Sequence, residues 1–107
     1  MPDAARTRPE YSLYIVRCAD GSLYTGIATD VDRRFDEHVS GVRGARFLRG
    51  KGPLEIVFCA RAGDRAAASR LEYRVKRLNR AQKLALVAGR FRLTDLVDDQ
   101  VVEDGGT

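Results

Sequence analysis

Residues 11–28, YSLYIVRCADGSLYTGIA, contain two runs of strand-forming residues on either side of a turn signal, and they predict a β-hairpin. A two-residue turn at Asp20 and Gly21 would put Tyr14 and Tyr24 on opposite faces of the hairpin. A turn that is one residue longer would put both tyrosines on the same face. We predict the longer turn, with Gly21 in the left-handed conformation.

In this register Tyr14 lies opposite Gly26, where the absence of a side chain leaves room for the phenol ring. Tyr24 lies opposite Val16 on the same face. The other face carries four aliphatic residues that can pack on helices: Leu13, Ile15, Leu23 and Ile27. The hairpin therefore predicts one apolar sheet face and one face with two phenols.

The rest of the chain predicts one more strand and three helices, which gives the order ββαβαα and a small α+β fold. We expect a three-stranded antiparallel sheet flanked by helices. The predicted segments are helix 31–40, strand 53–60, helix 65–78 and helix 80–88. Thr29 or Asp30 can cap the first helix and Asp64 the second, because both residue types are favoured at that position.

Three regions differ in composition and predict the domain organisation. Residues 1–10 predict a flexible arm, residues 11–92 a folded domain, and residues 93–107 an acidic tail. Residues 41–52, GVRGARFLRGKG, combine glycines and bases and predict a mobile basic loop.

Charge is unevenly distributed over the 107 residues. There are 19 Lys and Arg against 15 Asp and Glu, but five of the acids lie within residues 93–107. Residues 1–92 therefore hold ten acids and carry a net charge of +9. A domain this basic suits a polyanionic partner, most simply nucleic acid, although a solvated basic surface explains the same balance.

Composition also excludes several classes of protein. One histidine and two cysteines are too few for a closed zinc site. No apolar run approaches the roughly 20 residues of a membrane span. We expect a cytoplasmic protein, monomeric and without membrane contact, whose Cys18 and Cys59 are reduced and buried.

Helix phasing sorts the charged residues. The apolar stripe of the first helix is predicted to consist of Val31, Phe35 and Val39. Arg34 and His38, four residues apart, lie on its flank and can point along the sheet. The stripe of the second helix consists of Ala68, Leu71, Val75 and Leu78. Glu72 borders that stripe and is the only acid between Asp64 and Asp95.

These residues together resemble the GIY-YIG nuclease family. Its first motif corresponds to Ser12-Leu13-Tyr14 and its second to Tyr24-Thr25-Gly26. The helical R-x-x-x-H pattern corresponds to Arg34 and His38, and the helical glutamate to Glu72. The resemblance covers about residues 11–88. The chain departs from the family at Ser12, where the first motif has glycine. Members also often have a late asparagine near the site, whereas the only asparagine of this chain, Asn79, lies between two predicted helices.

The resemblance implies a divalent-metal-dependent endonuclease that hydrolyses phosphodiester bonds in DNA. The implied catalytic residues are Tyr14, Tyr24, Arg34, His38 and Glu72. Glu72 would hold Mg²⁺, or Mn²⁺, and Arg34 would bind the scissile phosphate. Tyr14 is favoured as the base with Tyr24 orienting water or phosphate, or the reverse. His38 would bind phosphate or assist Tyr24.

Five further basic residues are candidates for nucleic-acid binding: Arg43, Arg46, Arg49, Lys51 and Lys76. Phe47 within the basic loop can stack on an exposed base. We expect low sequence specificity, branched or single-stranded DNA as substrate, and a role in DNA repair or turnover. The alternatives are a non-catalytic nucleic-acid-binding module on the same scaffold and a protein-interaction domain. In those cases the tyrosines would be ordinary strand residues, and Glu72 would pair with Lys76.

Overall fold

The computed structural model describes residues 9–41 and 43–96, and its centre is a three-stranded antiparallel sheet. The strands are β1 (Tyr11–Arg17), β2 (Leu23–Ala28) and β3 (Glu55–Gly63). Their order is β2-β1-β3, so the strand that contains Tyr14 is central. The predicted α+β fold in the order ββαβαα is confirmed.

The β1–β2 hairpin has the predicted three-residue turn. The Cys18 backbone N–H donates to the Ser22 carbonyl over 2.9 Å, and Gly21 has a φ of 87°. Tyr14 pairs with Gly26, as predicted. This register puts both motif tyrosines on one face of the sheet.

Three helices flank the sheet: α1 (Val31–Ser40), α2 (Arg65–Lys76) and α3 (Arg80–Val87). Each begins after a residue whose side chain accepts the backbone N–H three positions further on: Asp30, Asp64 and Asn79. All three helices end within two residues of their predicted ends. The third strand was less well predicted, because β3 begins after Pro53 and continues to Gly63.

One face of the sheet packs against α2 and α3. Its buried core combines residues of β1, β3, both helices and the chain after α3: Leu13, Ile15, Ala62, Ala68, Leu71, Val75, Leu86, Leu93 and Leu96. Leu23, Ile27 and Leu78 pack against this core, so the predicted apolar face and the predicted stripe of α2 are confirmed. This packing fixes the position of α2, the helix that carries Glu72.

The other face of the sheet packs against α1, and here the predicted stripe was partly wrong. Val31 and Phe35 pack against the core of this face, but Val39 is 60% exposed. His38 takes the inward position and is only 4% exposed. Its ring can be buried because both ring nitrogens find hydrogen-bond partners, which apolar periodicity does not reveal.

The basic segment after α1 contains a short 3₁₀ helix, Arg46–Leu48. Leu48 is 2% exposed and packs in the same core as Tyr14, so it anchors a segment that was predicted to be a mobile loop. Cys18 is buried as predicted, but Cys59 is exposed because its strand, β3, forms an edge of the sheet.

The packed body extends past the predicted domain boundary at residue 92. Residues 93–96 form a helical turn, and Leu93 and Leu96 are 5% and 6% exposed within the core. The remainder of the predicted acidic tail and most of the predicted arm lie outside the described residues. Within the described ranges, no helix has the length and apolar character needed to cross a bilayer.

Candidate active site

Tyr14 lies at the centre of the site because it occupies the middle of the central strand. Its side chain is 1% exposed, and its Oη lies 2.9 Å from His38 Nε2. Across the hairpin, a Cβ built on Gly26 would come within 2.5 Å of Tyr14 Oη and 2.7 Å of Cζ. The second-motif glycine therefore provides the space that the Tyr14 ring occupies.

Replacing Gly26 by alanine is expected to displace the Tyr14 ring and lower the free energy of unfolding by about 1–3 kcal/mol, the usual cost of overpacking a core. Urea unfolding of the variant measures this loss. Gly52→Ala offers a control for alanine substitution, because Gly52 is not in the left-handed region and the nearest atom to its Cβ position is 3.9 Å away. Unchanged stability of Gly26→Ala would show that the ring does not need this space.

Tyr24 completes an aromatic group with Tyr14 and His38. Its ring centroid lies 6.4 Å from that of Tyr14 and 5.5 Å from that of His38. On its other side Tyr24 stacks against Phe47, with centroids 6.0 Å apart and an interplanar angle of 22°. The two phenols and the imidazole thus face one another, as the predicted register requires.

The hydrogen bonds of His38 assign its tautomer. The Ala45 backbone N–H donates to Nδ1 over 3.1 Å, so Nδ1 carries no proton and the neutral ring has its proton on Nε2. Nε2–H therefore donates to Tyr14 Oη. Burial, with the nearby Arg34 charge, holds the pKa of His38 below its usual 6.5. His38 is thus a neutral donor that would stabilise a Tyr14 phenolate.

His38 is expected to make the fold less stable as the pH falls below 6.5. Below this value the unfolded chain binds a proton that the folded chain, with its lowered pKa, does not yet bind. Stability is therefore lost between pH 6.5 and the lower folded pKa. Urea unfolding across this range should show the loss in the wild type and a flatter profile in His38→Gln. Because His38 is the only histidine, equal slopes in both proteins would contradict the assignment.

Arg34 lies on the exposed flank of α1 beside Tyr14. Its Nη1 donates to Glu37 Oε1 over 2.8 Å and to the Arg43 carbonyl over 2.7 Å. The bond to Glu37 is the main reason that the pKa of Arg34 is raised and that of Glu37 lowered. The charge of Arg34 also acts on Tyr14 and favours the phenolate.

Backbone atoms of residues 43–45 hold Arg34 and His38 from one side. Arg43 supplies the carbonyl that Arg34 contacts, and Ala45 supplies the N–H that His38 accepts. Between them, a Cβ on Gly44 would come within 2.9 Å of the Glu37 carbonyl oxygen, so only glycine fits. This segment brings two backbone groups to the site that side-chain motifs do not indicate.

Glu72 approaches the site from α2. Its side chain is 24% exposed, and Oε2 lies 3.2 Å from Lys76 Nζ, which is the pairing that the alternative interpretation predicts. Its negative charge also acts on Tyr14 and raises the pKa of that phenol. Tyr14, Tyr24 and His38 are thus in contact, and Arg34 and Glu72 lie near enough for their charges to act on Tyr14.

The pKa of Tyr14 is raised to about 12, and burial is the largest cause. Tyr24 and Glu72 contribute in the same direction, whereas Arg34 acts to lower the pKa. In the protein without a bound cation or substrate, Tyr14 is therefore a neutral phenol at physiological pH. A role as base requires additional positive charge near its oxygen.

A shallow groove of about 230 Å³ opens beside Tyr24. It is lined by Leu23, Tyr24, Thr25, Phe47, Lys76 and Lys83. Lys76 was predicted to bind nucleic acid, but Lys83 was not, because it lies on α3 outside every motif. The groove thus contains an aromatic surface and two lysine side chains, next to the catalytic candidates.

The predicted basic loop residues border the same side of the site. Arg43 contributes its carbonyl to Arg34, and Arg46 and Arg49 flank the 3₁₀ helix that presents Phe47. Lys51 places Nζ 3.9 Å from the Phe47 ring centroid and 3.7 Å from Asp20. That these arginine and lysine side chains bind nucleic acid remains a prediction.

The profile of the GIY-YIG catalytic domain matches residues 10–85, a range that includes all five clustered side chains. The chain therefore belongs to the GIY-YIG family, which is a family of nucleases. Within it, the chain is similar to bacterial UPF0213 proteins. A UPF0213 protein of Vibrio cholerae is 50% identical over 97 residues, which cover 90% of this chain and 95% of the relative.

Two other similar proteins agree with this placement. UPF0213 protein YhbQ of Escherichia coli K12 is 59% identical over 76 residues, or 71% of this chain and 75% of the relative. A protein of E. faecalis solved by solution NMR is 33% identical, with a TM-score of 0.51 over 72% of this chain and 81% of its own. The fold is thus shared with a solved relative.

Proposed function

We propose that this protein is a divalent-metal-dependent endonuclease that hydrolyses phosphodiester bonds in DNA. The approach of Arg34 and Glu72 to Tyr14 from α1 and α2 carries the proposal, because a guanidinium and a carboxylate both act on one buried phenol there. Membership of a nuclease family supports the same chemistry.

The donor set fits a Mg²⁺ ion that keeps most of its waters. No group of three His, Cys, Asp or Glu side chains within residues 9–41 and 43–96 could enclose a metal, so a protein-caged ion such as structural zinc does not fit. Glu72 offers the hard carboxylate oxygen that Mg²⁺ prefers, and Mn²⁺ shares this preference. A cation held there would neutralise Glu72 and stabilise the charge that develops on the phosphate.

The protein's own groups divide the remaining work. Arg34 exchanges its contacts with Glu37 and Arg43 for the scissile phosphate, to which a guanidinium donates two parallel hydrogen bonds. Tyr14 first loses its phenolic proton to solvent, and Arg34 and His38 Nε2–H stabilise the phenolate. The phenolate then accepts a proton from the attacking water and becomes a neutral phenol again. Tyr24, next to Tyr14 and His38, orients the water or the phosphate.

The groove beside Tyr24 suggests the form of the DNA. Lys76 and Lys83 can contact phosphates, which positions a strand without reading its sequence. Phe47, 44% exposed and stacked on Tyr24, offers an aromatic surface to an unpaired base. These features favour single-stranded or branched DNA and low sequence specificity, which suits repair or turnover of DNA.

A cleavage assay on linear, single-stranded, flap and junction DNA tests this function. We expect cleavage in Mg²⁺ or Mn²⁺ that stops on chelation and returns when metal is restored, with single-stranded or branched DNA cut faster than linear duplex. Salt-dependent binding without any hydrolysis would favour the non-catalytic module instead. Cleavage that persists in chelator would contradict the metal dependence.

A further inference from the structure

A concavity of about 590 Å³ lies outside the candidate active site. It is lined by residues of α2, the segment after α2 and the C-terminal helical turn: Ser69, Arg70, Tyr73, Arg74, Arg77, Leu78 and Leu96. At about 100° per residue, Arg70 and Arg77 lie roughly 160° and 140° around α2 from Glu72. This surface, which we call the back groove, thus faces away from the catalytic candidates.

The back groove is basic and continues into a second cavity. The adjoining cavity, about 270 Å³, shares Arg70 and Arg74 and adds the 84%-exposed Arg61 side chain. No acidic side chain among the described residues lines either cavity. The guanidinium groups of Arg70, Arg74 and Arg77 therefore border the back groove, an arrangement that attracts a polyanion. Arg61, in the adjoining cavity, lies 3.9 Å from Glu10 Oε1.

An aromatic ring distinguishes the back groove from a merely basic surface. Tyr73 lies on α2, and its side chain is 62% exposed. The Arg77 guanidinium lies 5.3 Å from the centroid of the Tyr73 ring, and this contact holds the ring beside the arginines. Exposed rings interleaved with arginines form the surfaces that contact nucleotides, with stacking on bases and ion pairing with phosphates.

We propose that the back groove binds a second segment of nucleic acid, with Arg70 and Arg77 on phosphates and Tyr73 against a base. The proposal shares its ligand class with the proposed function but does not depend on hydrolysis. A strand in the active site and a second segment in the back groove would lie on opposite sides of α2. A branched or folded-back nucleic acid could reach both surfaces.

Equilibrium binding of a labelled DNA junction by the full chain, measured in chelator over a series of salt concentrations, tests the proposal. Arg70→Ala/Arg77→Ala is compared with Arg65→Ala/Arg90→Ala, which removes the same charge from exposed arginines outside both cavities. Each lost phosphate contact lowers the slope of log K against log salt by about 0.7–0.9, so we expect a reduction of about 1.4–1.8 in the first variant. Tyr73→Ala should weaken binding by about 5- to 100-fold, the loss of one stacked base.

Equal slopes in the two double variants, with matching unfolding midpoints, would overturn the proposal. So would a first variant that keeps its affinity for DNA but loses affinity for polyglutamate, because the back groove would then bind acidic polypeptide. Because chelator prevents metal-dependent cleavage, failure here is distinct from failure of the nuclease assignment, which is read from hydrolysis alone.

Discussion

Replacing Tyr14 by phenylalanine is expected to lower kcat for DNA cleavage by about 10²–10⁴-fold, the usual contribution of a positioned base. The ring fills the same space opposite Gly26, but the oxygen that contacts His38 is lost. Single-turnover cleavage at saturating DNA measures the effect, because binding through the basic groove should be retained.

Tyr11→Phe is a matched control for this substitution, since Tyr11 lies on the same strand but packs against the opposite core. It should cleave at the wild-type rate. The pH profile separates a base from a structural hydroxyl, because the rate should rise with pH up to the pKa of Tyr14 in the substrate complex and lose this dependence in Tyr14→Phe. A Tyr14→Phe variant as active as Tyr11→Phe would remove Tyr14 from the mechanism.

Replacing Glu72 by glutamine is expected to lower metal-dependent cleavage by about 10²–10³-fold, comparable to the loss of one group that stabilises transition-state charge. Glutamine keeps the size of the side chain but removes the charge that suits a divalent cation. Rates should be measured over a titration of Mg²⁺ and Mn²⁺. Glu55→Gln, which alters an exposed glutamate paired with Arg17, should leave the rate unchanged.

A second measurement on the same variant reports on geometry rather than on activity. Because the Glu72 charge raises the pKa of Tyr14, Glu72→Gln should lower that pKa in the metal-free protein. NMR titration of ¹³C-labelled tyrosine follows it. An unchanged Tyr14 pKa would show that the two groups do not act on each other.

The hairpin was predictable because one local choice decided it. The glycine at the end of the turn allowed a three-residue connection, and that register alone put Tyr14 and Tyr24 on the same face. Helix α2 was predictable because its inward side is aliphatic throughout. The inward side of α1 was not, since His38 is buried by two hydrogen bonds and displaces Val39 to the surface.

The side chains of the site could be predicted from their motifs, but most of the groups that hold those side chains in place could not. Glu37 contacts Arg34 one helical turn away, a spacing that could have indicated it. The contacts of the Arg43 carbonyl and the Ala45 N–H could not be predicted from residue type, because both are backbone groups. Lys83 reaches the groove only because α3 folds back beside β2, a tertiary contact that no local pattern predicts.

The central claim is that these side chains form one catalytic centre, and a double-mutant cycle of Tyr14→Phe and Glu72→Gln on the cleavage rate tests it most directly. Groups that act as one unit give non-additive losses, so the double variant should cleave about as slowly as the slower single variant. Losses that multiply, or Glu72→Gln cleavage at the wild-type rate, would contradict the claim.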